Sequence, residues 1–203
     1  MGPSEQPPPT RLSAATTLRL DATALKVLAH PLRSRLLSAL RRGGPATATD
    51  LATALSTNTG ATSYHLRKLE SVGLVSDTGE GEGKRRLWRA ATDAHEWDAS
   101  DFAGDEDAQT ALGWLVRDYS RHLGQQFEQW LDVEADWPLP WRDAAGLGDQ
   151  LVLVTVEQAQ ALRTELEQLL ARYRDAGADQ PGARRLAVYT VLFPVDLDAA
   201  PEA

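Results

Sequence analysis

The chain has 203 residues, a formal net charge of -8 and 42% hydrophobic side chains, which suits a two-part protein or two small domains with apolar matter enough for burial. It contains no cysteine, which excludes a disulfide framework and any thiolate metal site and fits a reducing, cytoplasmic setting. No stretch approaches the roughly 20 apolar residues of a membrane span and the N-terminus lacks the apolar run of a signal peptide, so no membrane partner is expected.

Residues 1–17 are rich in Pro, Ser and Thr and read as a tail without fixed structure. A first helix begins at a capping Asp21, with Leu25 and Leu28 on one face. His30-Pro31 breaks it, and Pro31 suits the first turn of a second helix whose inward stripe is Leu32, Leu36, Leu37 and Leu40. Gly43-Gly44-Pro45 ends that helix. Its arginines, Arg33, Arg35, Arg41 and Arg42, read as exposed cations, open to phosphate but equally at home on a solvated face.

Thr47 to Val75 then reads as two short helices joined by a tight turn. Thr47 and Asp50 form a capping box for the first, which carries Leu51, Ala54 and Leu55 inward. Asn58 caps the second, whose inward positions are Thr62, Leu66, Leu69 and Val72. Its other side holds Gly60, Ser63, Tyr64, Arg67, Lys68 and Ser71, and Gly73 closes it. Small residues at a helix start, followed by a phenol and two cations, suit an element that enters a major groove by its N-terminal end.

Two strand-like runs around Gly79, Gly81 and Gly83 follow, with Lys84, Arg85 and Arg86 at the base of the returning strand. Glu80 and Glu82 make the tip acidic, so contact from the strand base rather than deep minor-groove insertion is expected. Ser63, Tyr64 and Arg67 are the candidates for base-edge or groove contact. Thr59, Thr62, Lys68, Lys84, Arg85 and Arg86 are the candidates for holding phosphate, although Thr62 also faces inward. His65 and Trp88 read as packing residues. Charge follows the same division: residues 1–91 hold 13 Lys and Arg against 7 Asp and Glu, and residues 92–203 hold 8 against 22. The basic half is the one with the paired helices, as an electrostatic footprint for phosphate requires.

The segment from Leu25 to Ala90 resembles the winged-helix domain of the ArsR/SmtB-like transcriptional regulators. The likeness lies in ALKVLAHPLRSRLLSAL, DLATAL, SYHLRKLESVGLV and a hairpin returning through KRRLW; the SxHLxxLxxxGLV pattern is met at Ser63, His65, Leu66, Leu69, Gly73, Leu74 and Val75. The resemblance implies a dimeric regulator bound to a double-stranded DNA operator, often a repressor released by an effector. It does not extend to that family's metal sites: the helix that would carry a cysteine pair reads DLATALS, the long helix has only His122, and His95, Glu96 and Asp98 form a loose local group.

Residues 92–106 turn acidic and small, as a linker does. A long helix over 107–136 is expected because Leu112, Leu115, Val116, Tyr119, Leu123, Phe127, Trp130 and Leu131 recur at helical spacing. So broad a stripe buries itself most simply against a symmetry mate, making the helix a dimerisation element. Residues 137–195 read as a module of a strand at Leu151–Val154, a helix capped by Thr155 and Gln158, and a strand at Leu186–Phe193, before a loose tail at 196–203.

The expected fold is therefore mainly α with small β: a winged helix-turn-helix domain over 18–91, a long dimerisation helix and a small α+β C-terminal module. Trp114, Trp130, Trp137 and Trp141 cluster in the C-terminal half, where ordinary packing competes with an aromatic cleft for a small apolar effector. No cofactor or metal site is expected, and no catalytic set or phosphate loop assembles, so the reading is of a non-enzyme. Two alternatives remain beside a homodimeric repressor. One is a winged helix that binds protein and not DNA; the other is a regulator whose C-terminal half senses a ligand.

Overall fold

A computed structural model describes residues 17–197 except 82 and 84. The expected tails at 1–17 and 196–203 thus lie almost wholly outside the described residues, as does Lys84 at the wing. The chain divides into two units, one over Leu12–Gly146 and one that includes Leu147–Ala203.

In the first unit the apolar stripes close on one another. Helix α1 (Ala22–Leu28) is capped by Asp21, whose side chain accepts from the Ala24 amide, and α2 (Pro31–Gly43) starts on His30, whose ring accepts from the Leu32 amide. Proline at the first helical position costs no hydrogen bond, because that N–H has no partner within the helix. α3 (Ala48–Ala54) carries the capping box of Thr47 and Asp50, and α4 (Thr59–Glu70) is capped by Asn58. Leu25, Leu28, Leu36, Leu37, Leu40, Leu51, Leu66, Leu69, Leu74 and Trp88 meet in a single core. Trp88 is thus a packing residue.

A three-stranded sheet flanks these helices. β2 (Ala46–Thr47) and β3 (Val75–Asp77) lie on either side of β4 (Leu87–Ala90), both antiparallel to it, with Val75 opposite Ala90 and Thr47 opposite Leu87. β3 and β4 are the wing. A side chain on Gly81 would collide with the Arg85 carbonyl, so the tip can tighten only around glycine.

Residues 92–106, expected as a linker, are packed instead. β5 (Ala94–Glu96) pairs in parallel with β1 (Thr17–Arg19), and the 3-10 turn Ala99–Phe102 buries Phe102 in the core. Its acidic composition serves local pairing: Asp98 and Asp101 both receive Arg19, at 2.7 Å each, and Asp105 receives Lys26 at 2.9 Å. Helix α5 (Glu106–Leu131) follows, five residues shorter at its C-terminal end than expected, and packs along α1. A 3-10 turn (Glu134–Asp136) and α6 (Leu139–Ala144) complete this unit.

In the second unit, α7 (Val156–Tyr173) forms with its capping box of Thr155 and Gln158, but buries none of its residues. The strands expected at Leu151–Val154 and Leu186–Phe193 are not formed among the described residues. Both runs are exposed throughout, and a strand needs a neighbouring edge for its hydrogen bonds and a surface for its side chains. The α+β character of the molecule therefore comes from the wing and the β1–β5 pair. No helix among the described residues is long and apolar enough to cross a membrane.

Candidate nucleic-acid interface

The position of α4 is set from below. Leu66 and Leu69 are fully buried against α2 and α3, and that fixes which side chains face out. The turn before it closes through the Thr57 amide on the Ala52 carbonyl at 2.9 Å, with Ser56 held at φ 52. A left-handed residue lets α3 and α4 lie at a steep angle in few residues. At the far end Gly73, at φ 72, ends α4, and the Leu74 amide reaches back to the Leu69 carbonyl at 3.1 Å. That reversal delivers the chain straight into β3 and ties the wing to α4.

A hollow of about 270 Å³ results where α4, the start of α3 and the base of the wing converge, lined by Thr59, Ser63, Arg67, Arg85 and Arg86 together with Thr47, Ala48, Thr49 and Trp88. Five of the nine sequence candidates thus meet in one place. Tyr64 and Lys68 stand on the exposed face of the same helix; Tyr64 is 53% exposed and the Lys68 ammonium lies 5.8 Å from the centre of its ring. The arrangement is a cation-lined concavity beside a projecting aromatic, which suits a phosphate backbone with bases beyond it.

Not every candidate keeps its role. Thr62 is fully buried, and its hydroxyl donates to the Asn58 carbonyl at 3.0 Å. A threonine facing the preceding turn satisfies itself in this way and has no donor left for phosphate. Arg86 lies 3.4 Å from Asp77, 3.8 Å from Glu70 and 5.7 Å from the Trp88 ring centre, so two carboxylates already offset much of its charge. The Arg67 Nε donates to the Ser63 carbonyl at 3.1 Å, which lays its guanidinium along the helix. Asp50, in the first turn of α3, has its pKa lowered by hydrogen bonds from the Thr47 hydroxyl and backbone, with Arg85 adding a smaller electrostatic pull. Thr47, Ala48 and Thr49 were missed as lining residues. Their capping pattern was legible, but that α3 starts at the mouth of this hollow follows only from β2 pairing with β4.

Behind the interface, His65 is half-buried, 4.5 Å from His30 ring to ring, and its Nδ1 has no hydrogen-bond partner among the described residues. Loss of solvent lowers the pKa of both imidazoles, and mutual repulsion between the pair lowers that of His65 further. Both are packing groups that join α4 to the start of α2.

Arg41 is no surface cation. Its Nε donates to the Thr92 carbonyl at 3.0 Å and its Nη1 to His95 Nδ1 at 2.7 Å, while His95 Nε2 lies 2.7 Å from the Tyr119 hydroxyl. With Nδ1 accepting, the remaining proton sits on Nε2 and donates to Tyr119. Burial pushes His95 down to about 3, helped by the Arg41 charge. This chain of contacts joins α2, β5 and α5. It also takes His95 away from Glu96 and Asp98, the latter paired with Arg19, so the three do not converge. Among the described residues no group of three His, Cys, Asp or Glu could hold a metal ion.

Of the four indoles considered for an effector, Trp130, Trp137 and Trp141 gather edge to face at the end of α5, with ring centres 5.3 and 6.2 Å apart. Trp114 is packed against the core instead. A separate apolar hollow of about 630 Å³ along α5 is lined by Leu112, Gly113, Val116 and Arg117 with Ala99, Ala103 and Gln109, and by none of these indoles.

Comparison with known proteins bears on the same segment. A helix-turn-helix domain family matches residues 28–78, from the end of α1 through the start of the wing. Among solved structures, the chain is similar to a winged helix-turn-helix DNA-binding domain from Mycobacterium bovis, described as homodimeric and as a possible ArsR-family transcriptional regulator. The two are 30% identical over 48% of this chain and 77% of that one, with a TM-score of 0.32. So low a score lends no weight to the superposition; the likeness rests on residue identity. No curated protein sequence matches.

Proposed function

We propose, from the premise that this chain belongs to the ArsR-like winged helix-turn-helix regulators, that it is a homodimeric repressor reading a two-part operator. That it is a DNA-binding regulator follows from the family. The further reading is carried by one observation: Thr59, Ser63 and Arg67 of α4 and Arg85 and Arg86 of the wing line a single hollow, with Tyr64 and Lys68 beside it. In this reading Ser63, Tyr64 and Arg67 meet base edges or the groove wall, and Thr59, Lys68, Lys84 and Arg85 hold phosphate. Arg86 contributes less, and Thr62 nothing directly.

Pairing of two copies is supported by the apolar surface that α5 leaves exposed at Val116 and Leu131, and by the homodimeric state of the related domain. It also answers a need of the chemistry, since one recognition helix reads too few bases for useful specificity. For an apolar effector, the supporting feature is the trio Trp130, Trp137 and Trp141. Selection of bound fragments from genomic DNA tests the reading. It predicts enrichment of an inverted repeat with half-sites about 10 base pairs apart; enrichment of nothing, or of a lone half-site, overturns it.

A further inference from the structure

The C-terminal unit poses a problem of surface. The run Leu186–Phe193 has the pattern of a strand buried on both faces: in an extended chain Leu186, Val188 and Leu192 fall on one face and Ala187, Tyr189, Val191 and Phe193 on the other. Yet every one of them is exposed, Phe193 to 70% and Val191 to 66%, and no strand pairing among the described residues includes them. Burial of large apolar side chains is strongly favourable, and folded monomers rarely leave so much apolar surface contiguous in water. The nearest candidate neighbour in sequence, Leu151–Val154, has four residues. It can pair half of the run at most, and a strand has two edges.

The charges at the two ends suit a second copy of the same run at the other edge. The run begins after Arg184 and Arg185 and ends before Asp196. Laid antiparallel on a second copy of itself about Thr190, it brings Arg184 opposite Asp196 of the other copy, Val188 opposite Leu192, and Leu186 opposite Pro194, with both charge pairs satisfied by the symmetry. A parallel arrangement would stack arginine on arginine. Pro194 fixes the hydrogen-bonding phase as well. Having no N–H, it must occupy a non-hydrogen-bonded site, and because such sites alternate along the ladder, Val188, Thr190 and Leu192 occupy them too. The ladder bonds then fall at Ala187 with Phe193 and at Tyr189 with Val191.

We propose that residues 184–196 form an intermolecular antiparallel strand pair with the same residues of a second copy, centred on Thr190, making the C-terminal unit a self-association surface. This does not rest on the DNA-binding reading and differs from pairing through α5, which places no constraint on Thr190.

The absence of cysteine from the chain makes the test direct. In a non-hydrogen-bonded antiparallel site facing Cα atoms lie about 4.5 Å apart, inside the range of roughly 4.4–6.8 Å that a disulfide spans. In the full-length protein, Thr190→Cys should therefore oxidise to a linked dimer, whereas Val191→Cys, one step off the axis, should not. At micromolar protein a millimolar effective concentration makes the Thr190→Cys reaction roughly a thousandfold faster. Arg184→Asp added to Thr190→Cys should abolish that advantage, and Asp196→Arg added to both should restore it. Equal, slow linkage at 190 and 191 overturns the proposal, even if gel filtration still shows a dimer, which would then be pairing through α5. Rapid linkage at 190 that ignores both charge changes also overturns it, because the register would then be set by something else.

Discussion

Two parts of this chain carry the same kind of apolar periodicity and meet opposite fates. In Leu12–Gly146 every leucine of α1, α2, α3 and α4 except Leu32 reaches full or nearly full burial, as do Trp88 and Phe102. In 147–197 Leu169 and Leu170 of α7 and the valines on either side of it remain in solvent, Leu153 completely so, and Leu162 and Leu166 reach only half-burial. The difference lies in the number of faces available. Four helices and a three-stranded sheet supply each other with partners, whereas α7 and the two runs beside it bury no side chain among the described residues. A hydrophobic pattern states what a segment needs; whether its own chain supplies it is a property of the assembly.

The sharpest way to break the contrast is to remove a side chain from each part. Leu66→Ala should cost about 2–5 kcal/mol in thermal or denaturant unfolding, because it opens a cavity under α4 where nothing can collapse. A loss under ~1 kcal/mol would mean that the first unit is no better closed than the second. Next in size is acid sensitivity. His95 is held near 3 in the fold against 6.5 as its ordinary value, so the unfolded chain binds the proton more readily. Its contribution is complete above pH 6.5 and is lost as pH falls from there toward 3, at a slope approaching about 1.4 kcal/mol per pH unit. The pKa values of His30, His65 and His122 are also lowered by burial, so they add to the loss in the same direction. His95→Gln keeps a donor and an acceptor but cannot titrate; urea unfolding at pH 7 and pH 5 should show it to be the less acid-sensitive protein. An unchanged pH slope would place the burial of His95 in doubt.

The first unit was legible where spacing and chemistry agreed. The α4 face, the Asn58 cap, the break at His30 and the wing strands follow from three- and four-residue recurrences and from glycine at Gly73 and Gly81. What stayed hidden was non-local. β1 and β5 are three residues each and meet across 77 positions, a pairing no local pattern announces. The acidic run at 92–106 looked like a linker because its anchor, Phe102, is one residue among many carboxylates. Arg41 looked like an exposed cation because its partners, Thr92 and His95, lie on another element. At the interface, Thr62 was ambiguous from the start: its position is inward, and only the Asn58 carbonyl decides the hydroxyl's use. The two C-terminal segments were legible as apolar runs but not as sheet, since strand identity depends on a neighbouring edge and no strand pairing among the described residues includes them.

Smaller effects refine the comparison. Asn58→Ala removes the acceptor for the Ala61 amide, 2.8 Å away, and should cost about 1 kcal/mol, read as a lowered midpoint of the first unit's transition. Removal of the Thr155 side chain caps nothing in the first unit and should leave that transition in place. Phe193→Ala should likewise move it by less than ~0.5 kcal/mol, and lower only the concentration-dependent part of any melting curve. A large shift of the first unit's transition on Phe193→Ala would show that the two units are energetically one.

If the α4 face and the wing base bind duplex DNA, titration with operator fragments over a range of salt concentrations shows it without an intermediary. Affinity should fall linearly on a log–log plot with salt. Arg85→Ala should reduce the slope by about 1, while Arg67→Ala, at the position proposed to read bases, should cost about 1–3 kcal/mol and relax specificity. Binding that ignores salt and both substitutions, or protein that captures no duplex at any salt, would contradict the account and leave a winged helix that recognises protein instead.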